Sequence, residues 1–444
     1  MSKQWSEMTP EEKREERFRR YCDTTDKEFE SPAAKQLYQE RAQRMYDVLH
    51  LKVPDRVPVS LPAEYFPAYH GGVNLHTVMY DYEELKRCWL KYMREFEMDS
   101  FSGPGLVHSG KTMDIMDYRY MAWPGHGIGK DVSSYQYLER EAMKADEYDD
   151  LIRDPSDFIM RKVLPRSIGE LKAFEKLGPV SNSLGMPSNF VAAAANPEIR
   201  KAYRKLIEAG EELEKWGEAV RAVSREALRA GFPAMMGGIG TAPFDVLADT
   251  LRGTRGAISD MYRQPEKMLA AMDRIADIII ANARLALADG NGIMFSFPLH
   301  KGDDVFMSDT QFEKFYWPSL RKIIVALAQE GIISSLFAEG AYNKRLKYIK
   351  DVPAGWTTWL FDQTDMAEAK KALNGIACIS GNIPSSLVCT GTPEKVKEYC
   401  RYLIDTCAPG GGYILAGGAS ATEAPAENLR AIMDVAKQYG VYKK

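Results

Sequence analysis

The chain has 444 residues, of which 45% are hydrophobic and 27% are charged, as in ordinary globular proteins. Its formal net charge of −4 offers no basic surface for nucleic acid or for an anionic membrane. The charged N-terminus lacks the apolar region of a secretory signal, and no run reaches the ~18 apolar residues that a membrane span needs. The six cysteines form no CxxC pair, which favours free thiols in a reducing compartment. We therefore expect a soluble, cytoplasmic protein that binds neither nucleic acid nor membrane.

Most of the chain has the pattern of alternating strands and helices. Residues 1–50 are helical in pattern and predict an extension packed on the outside of the main body. From residue 56 onward, short apolar runs alternate with amphipathic helices, which is typical of a parallel sheet with crossover helices. The predicted strands are residues 56–62, 99–104, 233–240, 292–299, 332–337, 356–361, 377–380 and 413–416. Helices are predicted near residues 82–95, 261–289, 310–329, 344–350, 366–373, 393–406 and 427–439. Eight such units favour a closed α/β fold, the (β/α)8 TIM barrel, over an open sheet.

Residues 105–230 interrupt this alternation and predict an insertion. The stretch MAWPGHGIG, followed by the polar alternation SSYQYLEREAM, indicates a hairpin excursion. The remainder is mostly helical, and its main helix is expected to start at Asn196 and Pro197, since Asn is a good N-cap and Pro suits the first turn. The chain is therefore divided into a helical extension, 1–50, and one barrel domain, 51–444, that carries an insertion at about 105–230.

In a TIM barrel the chemistry lies where strands end and the following loops begin, so polar residues at these points are candidate site residues. Charged groups after apolar strands are costly unless they are paired or used. The residues at these points are Glu64, Tyr65, His108, His300, Asp303, Asp304, Glu339, Asp362, Asp365 and Asn382. Glu64, Tyr65, His108, Asp304 and Asn382 are the predicted substrate-binding residues.

Glu339, in SSLFAEG, is the leading catalytic candidate, because it carries a lone carboxylate into an otherwise apolar strand end. It could act as a zinc ligand or as a general acid or base. The alternatives are an ion pair with a loop cation such as Arg345, or a helix cap. His300, in FPLHKGDD, could be a metal ligand or a proton-transfer group, or else a hydrogen-bonded structural histidine.

Three further strand-end positions carry open alternatives. Asp362, in LFDQTD, is a catalytic candidate that could contact substrate or orient another group, whereas Asp365 is expected to be a helix N-cap. Asn382 lies in a Gly-Asn-Ile-Pro turn, where a hydrogen bond to substrate and simple turn stabilisation are both open. Asp304 begins a loop, where Asp is also common for turn reasons.

Three stretches carry a family resemblance: FMSDTQFEKFYWPSLRKII, GNIPSSLVCTGTPEKVKEYC and GGYILAGGASATEAPAENLRAIMDVAKQYG. They resemble the uroporphyrinogen-decarboxylase superfamily, over roughly residues 56–439. The resemblance implies a (β/α)8 barrel. It also implies one of two activities: decarboxylation without a cofactor, or methyl transfer between a corrinoid and a thiol, phenol ether or other acceptor, commonly with zinc.

The chain departs from both patterns of that superfamily. The decarboxylases resemble one another in an arginine-rich segment of the form RQAGRYLPE that grips substrate carboxylates, whereas this chain has LPAEYFPAYHGG. The thiol methyltransferases carry an HxCG motif and a later Cys that bind zinc. Here Phe337, Glu339 and the region of Gly418 stand at those ligand positions. Glu339 with His300 and Asp362 could instead form an oxygen-rich zinc site, or act without metal.

The leading hypothesis from the resemblance is a corrinoid-dependent methyltransferase acting on a small methylated compound. The chain has no DxHxxG signature of cobalamin-coordinating proteins and no extra domain, so the cobalamin is expected on a corrinoid carrier protein as partner. The resemblance also makes a homodimer plausible. The alternatives are a decarboxylase-like lyase on a small aromatic or pyrrolic acid, and a non-catalytic binding protein that kept the barrel.

Overall fold

The computed structural model describes residues 3–61, 64–290, 292–418 and 420–442. Its central feature is a curled sheet of seven parallel strands. They are β1 (Val59–Ser60), β2 (Met236–Ile239), β3 (Met294–Leu299), β4 (Ile333–Ala338), β5 (Thr357–Phe361), β6 (Cys378–Ser380) and β7 (Tyr413–Ala416). The order in the sheet is β1-β7-β6-β5-β4-β3-β2. This TIM-barrel-like arrangement confirms the predicted fold class.

The predicted strand 99–104 is represented only by a single parallel bridge between Ser60 and Ser100, on the free side of β1. Pro104 lacks a backbone donor and begins a short 3₁₀ turn, Pro104–Leu106, which ends the extended stretch early. Within the described residues no ladder joins this segment to β2. Pro62, the last residue of the predicted first strand, lies outside the described residues.

Helices cover the outside of the sheet, as the crossover pattern predicts. The longer ones are Pro10–Cys22, Pro32–Leu49, Tyr82–Glu95, Pro197–Arg229, Gly253–Arg263, Pro265–Ala286, Trp317–Gln329, Met366–Leu373, Pro393–Cys407 and Ala426–Gln438. The helix predicted near 261–289 is divided at Gln264, because Pro265 has no amide donor and disfavours helical geometry in the residue before it. Among the described residues, every helix is too short or too polar to cross a membrane.

The helices α1 (Pro10–Cys22) and α2 (Pro32–Leu49) pack against the amino ends of the barrel strands. The side chains of Phe18 and Met45 share a core with Met294 and Ile333, at the starts of β3 and β4. The buried guanidinium of Arg17 donates hydrogen bonds to three backbone carbonyls of this end, those of Leu287, Gly292 and Glu330. The amino end of the barrel is therefore closed, and the carboxyl ends of the strands form the open mouth.

The insertion contains the hairpin and the long helix that the sequence predicts. A small three-stranded sheet is formed by Met121–Pro124, Gly127–Ile128 and Gln136–Tyr137. The helix Pro197–Arg229 begins as predicted, since the Asn196 side chain accepts a hydrogen bond from the backbone N–H of Glu198. The small sheet brings residues of the insertion close to the mouth of the barrel.

A candidate active site at the carboxyl ends of the strands

Four of the predicted residues lie at strand ends around the mouth, three of them at the neighbouring strands β3, β4 and β5. His300 directly follows β3, Glu339 follows β4, and Asp362 follows β5. Glu64 lies in the loop after β1. The charges of all three of the others act on Glu339, so these side chains lie near one another. The strand-end rule thus brings together residues that are far apart in sequence.

The imidazole of His300 is held between two carboxylates. Its Nδ1 lies 2.6 Å from Oδ2 of Asp249, and its Nε2 lies 3.7 Å from Oε1 of Glu339. Lys301 Nζ lies 3.4 Å from the other oxygen of Asp249. Burial lowers the pKa of His300, but the hydrogen bond to Asp249 and the surrounding carboxylate charges outweigh it and raise that pKa to about 9. The ring is therefore positively charged at neutral pH.

A fully buried carboxylate, Asp245, fixes the backbone beneath this ring. It accepts hydrogen bonds from the backbone N–H groups of His300 (3.0 Å) and Lys301 (3.1 Å), and from the hydroxyl of Tyr316 (2.8 Å). Burial raises the pKa of Asp245 to about 7. The loop after β3 is thus anchored at the residue that carries the imidazole.

Asp245 and Asp249 belong to one helical segment, Pro243–Asp245 continued by the π-helical turn Val246–Leu251. Single π turns occur often at functional sites. Sequence reasoning singled out neither residue. The signal was present in PFDVLADT, where two aspartates four positions apart directly after the GGIG turn indicate a shared helix face.

Among the described residues, no arginine forms an ion pair with Glu339. Arg345, the cation proposed for that role, is fully buried and donates instead to Asp309 (2.6 Å) and to the carbonyl oxygen of Gly302. Burial raises the pKa of Glu339, the charge of His300 lowers it, and the charges of neighbouring carboxylates raise it further. The net direction is upward, so Glu339 holds a proton more readily than an exposed glutamate.

Glu64 is fixed by hydroxyl groups from the loop after β7. Its Oε2 accepts hydrogen bonds from Ser420 Oγ and from Thr422 Oγ1, the latter at 2.9 Å. The backbone of Glu64 has a φ of 41°, in the left-handed region that is costly for a residue with a Cβ. Such strain persists where surrounding contacts enforce it, and it is common at binding and catalytic sites.

Two of the predicted residues lie in an aromatic wall beside Glu64. The rings of Tyr65 and Tyr135 meet edge to face at 5.4 Å between centroids, and the ring of His108 lies 5.1 Å from that of Tyr135. The Tyr135 hydroxyl also accepts a hydrogen bond from the backbone N–H of His108. Solvent reaches His108, yet the surrounding protein displaces much of the water around its ring, and this burial lowers its pKa.

Asp304 and Asn382 make contacts that hold loops together. The Asp304 carboxylate accepts from the backbone N–H of Lys344 (3.0 Å) and lies 3.5 Å from the guanidinium of Arg345. The Asn382 amide donates to the carbonyl oxygen of Thr364 (2.7 Å), while its own buried oxygen accepts no hydrogen bond from the described residues. A substrate-binding role for these two residues stays a prediction.

Asp362 lies between the loops after β4 and β7. Its Oδ2 accepts a weak hydrogen bond from the backbone N–H of Gly340 (3.2 Å), and a Cβ built on Gly418 would lie 2.8 Å from its Oδ1. Only a residue without a side chain therefore leaves Asp362 in this place. Asp365 is the helix N-cap that the sequence predicts, since its side chain accepts from the N–H groups of Ala367 and Glu368.

The residues present do not fit the zinc site that the resemblance implies. In the part of the chain that the structure describes, no group of three or more His, Cys, Asp and Glu side chains is arranged to hold a metal ion. The corresponding ligand positions carry Phe337, Glu339 and Gly418, of which one supplies a donor atom. The hydrogen bond from Nδ1 of His300 to Asp249 leaves Nε2 as the ring nitrogen that faces Glu339. Glu339 and His300 can nevertheless exchange a proton without a metal ion.

Fold and site together define a TIM-barrel-like protein whose mouth holds a histidine between carboxylates. Residues 174–439 match the uroporphyrinogen decarboxylase (URO-D) family, and since they make up more than half of the 444 residues, the chain belongs to this family. No curated protein matches the chain.

Among solved structures, a methyltransferase from Methanosarcina mazei is similar to this chain, with 14% identity and a TM-score of 0.57. The match covers 91% of this chain and 98% of that one. At this level of identity the likeness establishes a shared fold.

Proposed function

We propose that this chain is a methyltransferase that moves a methyl group between a small methylated compound and a corrinoid carried by a separate protein. The observation that carries the proposal is the charged imidazole of His300, held by Asp249 and facing Glu339 in the barrel mouth. Membership of the URO-D family and the fold shared with a methyltransferase support the same activity.

The chemistry of an aryl methyl ether suits this arrangement. A reduced corrinoid, when bound, supplies the nucleophile that accepts the methyl group. The C–O bond breaks with its electron pair on oxygen, so the leaving phenolate needs a proton. His300 can deliver that proton from Nε2, which leaves a neutral imidazole beside the carboxyl group of Glu339. The pKa of His300, about 9, is close to the ~10 of a phenol, so the transfer is nearly balanced.

The proposed role of the barrel is orientation. Asp245 fixes the backbone of the His300 loop and Asp249 fixes the ring, so Nε2 points in one direction before substrate arrives. Holding a donor and a leaving group in register can lower a barrier by several kcal/mol, roughly the effect measured for well-oriented intramolecular reactions. The corrinoid carrier is expected to dock over the open mouth.

The alternative of a decarboxylase acting on a carboxylic acid is disfavoured by charge. The carboxylates around the mouth are those of Glu64, Asp249, Glu339 and Asp362. The positive charges nearest to Asp249 are those of His300 and Lys301. An anionic substrate would be repelled by this set of carboxylates. A neutral ether avoids the repulsion.

The test is an anaerobic assay with 1,2-dimethoxybenzene as methyl donor and free cob(I)alamin as acceptor, in which formation of 2-methoxyphenol is followed. Wild type is expected to form the phenol, and His300→Gln is expected to be slower by about 10²–10⁴-fold, the usual contribution of a positioned acid. His70→Gln is the matched control, since His70 also pairs with a carboxylate, Glu95 at 2.6 Å, away from the strand ends. Equal rates in wild type and His300→Gln would refute the role of the imidazole.

A further inference from the structure

A segment of the insertion passes over the mouth of the barrel. This strap, residues 133–141, is tied at one end to the loop after β7 and at the other end to the start of the helix Gly253–Arg263. At one end the Ser133 hydroxyl donates to Glu423, in the loop after β7 (2.9 Å). At the other end Glu139 accepts from the backbone N–H of Arg255, beyond β2 (3.2 Å). The strap therefore lies above the concavity that holds His300.

The strap points two tyrosines to the same side. Tyr135 and Tyr137 are two residues apart in extended chain, where side chains alternate, and Tyr137 pairs with Met121 in the small sheet. Tyr135 packs against Tyr65 in the aromatic wall beside Glu64. Tyr137 is therefore directed toward the mouth as well.

Tyr137 differs from its neighbours in being uncovered. It is 69% exposed, whereas Tyr65 in the wall below is 8% exposed. The concave surroundings and the charges of Glu339, Asp249 and Glu64 raise the pKa of Tyr137, so its hydroxyl stays protonated. These carboxylates belong to three segments: Glu339 follows β4, Glu64 follows β1, and Asp249 lies on the helical turn after the β2 loop.

We propose that Tyr137 is a specificity-determining residue that contacts the substrate, its ring forming the upper wall against which a flat aromatic methyl donor packs. The inference rests on the proposed function for the identity of the donor. An uncovered aromatic ring above a concavity presents a face or edge to a second ring at the 4.5–7 Å spacing typical of aromatic pairs. The protonated hydroxyl is in addition a hydrogen-bond donor for an oxygen substituent of the substrate.

The experiment compares wild type with Tyr137→Ala and Tyr137→Phe in the full chain. Calorimetric binding of 1,2-dimethoxybenzene is expected to weaken about tenfold in Tyr137→Ala, the effect of losing one aromatic pair and its covered area. Tyr137→Phe keeps the ring and is expected to lose less. Tyr402→Ala is the control, because Tyr402 is also exposed but lies on the outer helix Pro393–Cys407.

A second readout separates recognition from general damage to the strap. The ratio of kcat/KM for 1,2-dimethoxybenzene to that for methanol, a donor without a ring, is expected to fall about tenfold in Tyr137→Ala. Equal losses for both donors, unchanged affinity in Tyr137→Ala, or no binding by wild type would each overturn the inference. Tyr137-dependent binding without any methyl transfer would leave the inference standing and overturn the proposed function.

Discussion

The charge on His300 depends on Asp249, and Asp249→Asn is the perturbation that isolates this dependence. The substitution keeps the size of the side chain and an acceptor oxygen at the 2.6 Å contact, but removes the negative charge. It leaves Glu339 and Asp245 in place as the remaining carboxylates near the ring. A change in the imidazole therefore reports the contribution of one partner.

The size of the expected pKa change follows from the hydrogen bond between His300 and Asp249. Such bonds to charged groups contribute about 1.5–3 kcal/mol, and one pKa unit corresponds to about 1.4 kcal/mol. We therefore expect the pKa of His300, about 9 in wild type, to fall by about one to two units in Asp249→Asn. The proposed methyl transfer should lose activity as pH rises through that pKa, because the proton donor is lost, and the alkaline limb should move to lower pH in the variant.

The direction in which stability changes with pH follows from the same pKa values. The pKa of His300 in the folded protein lies above the ordinary value of 6.5, so its pairing stabilises the folded state fully below about pH 6.5. This contribution is lost as pH rises through about 9. The difference in unfolding free energy between wild type and Asp249→Asn should therefore shrink across that window.

The assay is an NMR titration of histidine-labelled protein, in which the six histidines are distinguished with the help of His300→Gln. The same samples can be unfolded in urea at several pH values. A titration midpoint for His300 that is the same in wild type and Asp249→Asn would refute the argument. So would a midpoint near the ordinary histidine value in wild type, since the ring would then be neutral at the pH of the reaction.

Two further predictions concern the other carboxylates of the mouth. Glu339→Gln removes the charge facing the imidazole, so the rate of ether demethylation should fall about tenfold or more, while zinc content, measured by atomic emission, stays as in wild type. A zinc ion bound by wild type and lost in Glu339→Gln would contradict the metal-free site. Gly418→Ala places a Cβ 2.8 Å from Asp362 Oδ1 and should displace that carboxylate. We expect reduced kcat with an unchanged circular dichroism spectrum, and wild-type kcat in Gly418→Ala would show that Asp362 need not stay in place.

The fold could be predicted from the sequence because local and long-range signals agree. The helices 82–95 and 366–373 match their predicted bounds residue for residue, and seven of the eight predicted strands occur in the sheet. Two of the differences between predicted and observed elements arise at prolines. Pro265 divides one predicted helix into two, and Pro104 shortens the second predicted strand to a single bridge at Ser100.

The candidate site could be predicted in part, because the barrel rule assigns every strand end to one face. It located His300, Glu339 and Asp362. It could not locate Asp249, which lies on a helical turn that follows the β2 loop and is brought to the imidazole by packing. Nor could it locate Tyr137, since the path of an insertion over a barrel mouth depends on tertiary contacts such as those of the strap.

The differences between this mouth and the thiolate site of the methyltransferases that it resembles are physically coupled. Glu339 stands where a thiolate ligand is expected, and Gly418 stands near the position of another. The missing side chain at Gly418 is what gives Asp362 its room, since a Cβ there would approach its carboxylate to 2.8 Å. Loss of one soft ligand thus admits a hard oxygen group beside Glu339, and the charged His300 balances the added negative charge. Under the proposed function, these positions together favour proton transfer to oxygen over activation of a thiol.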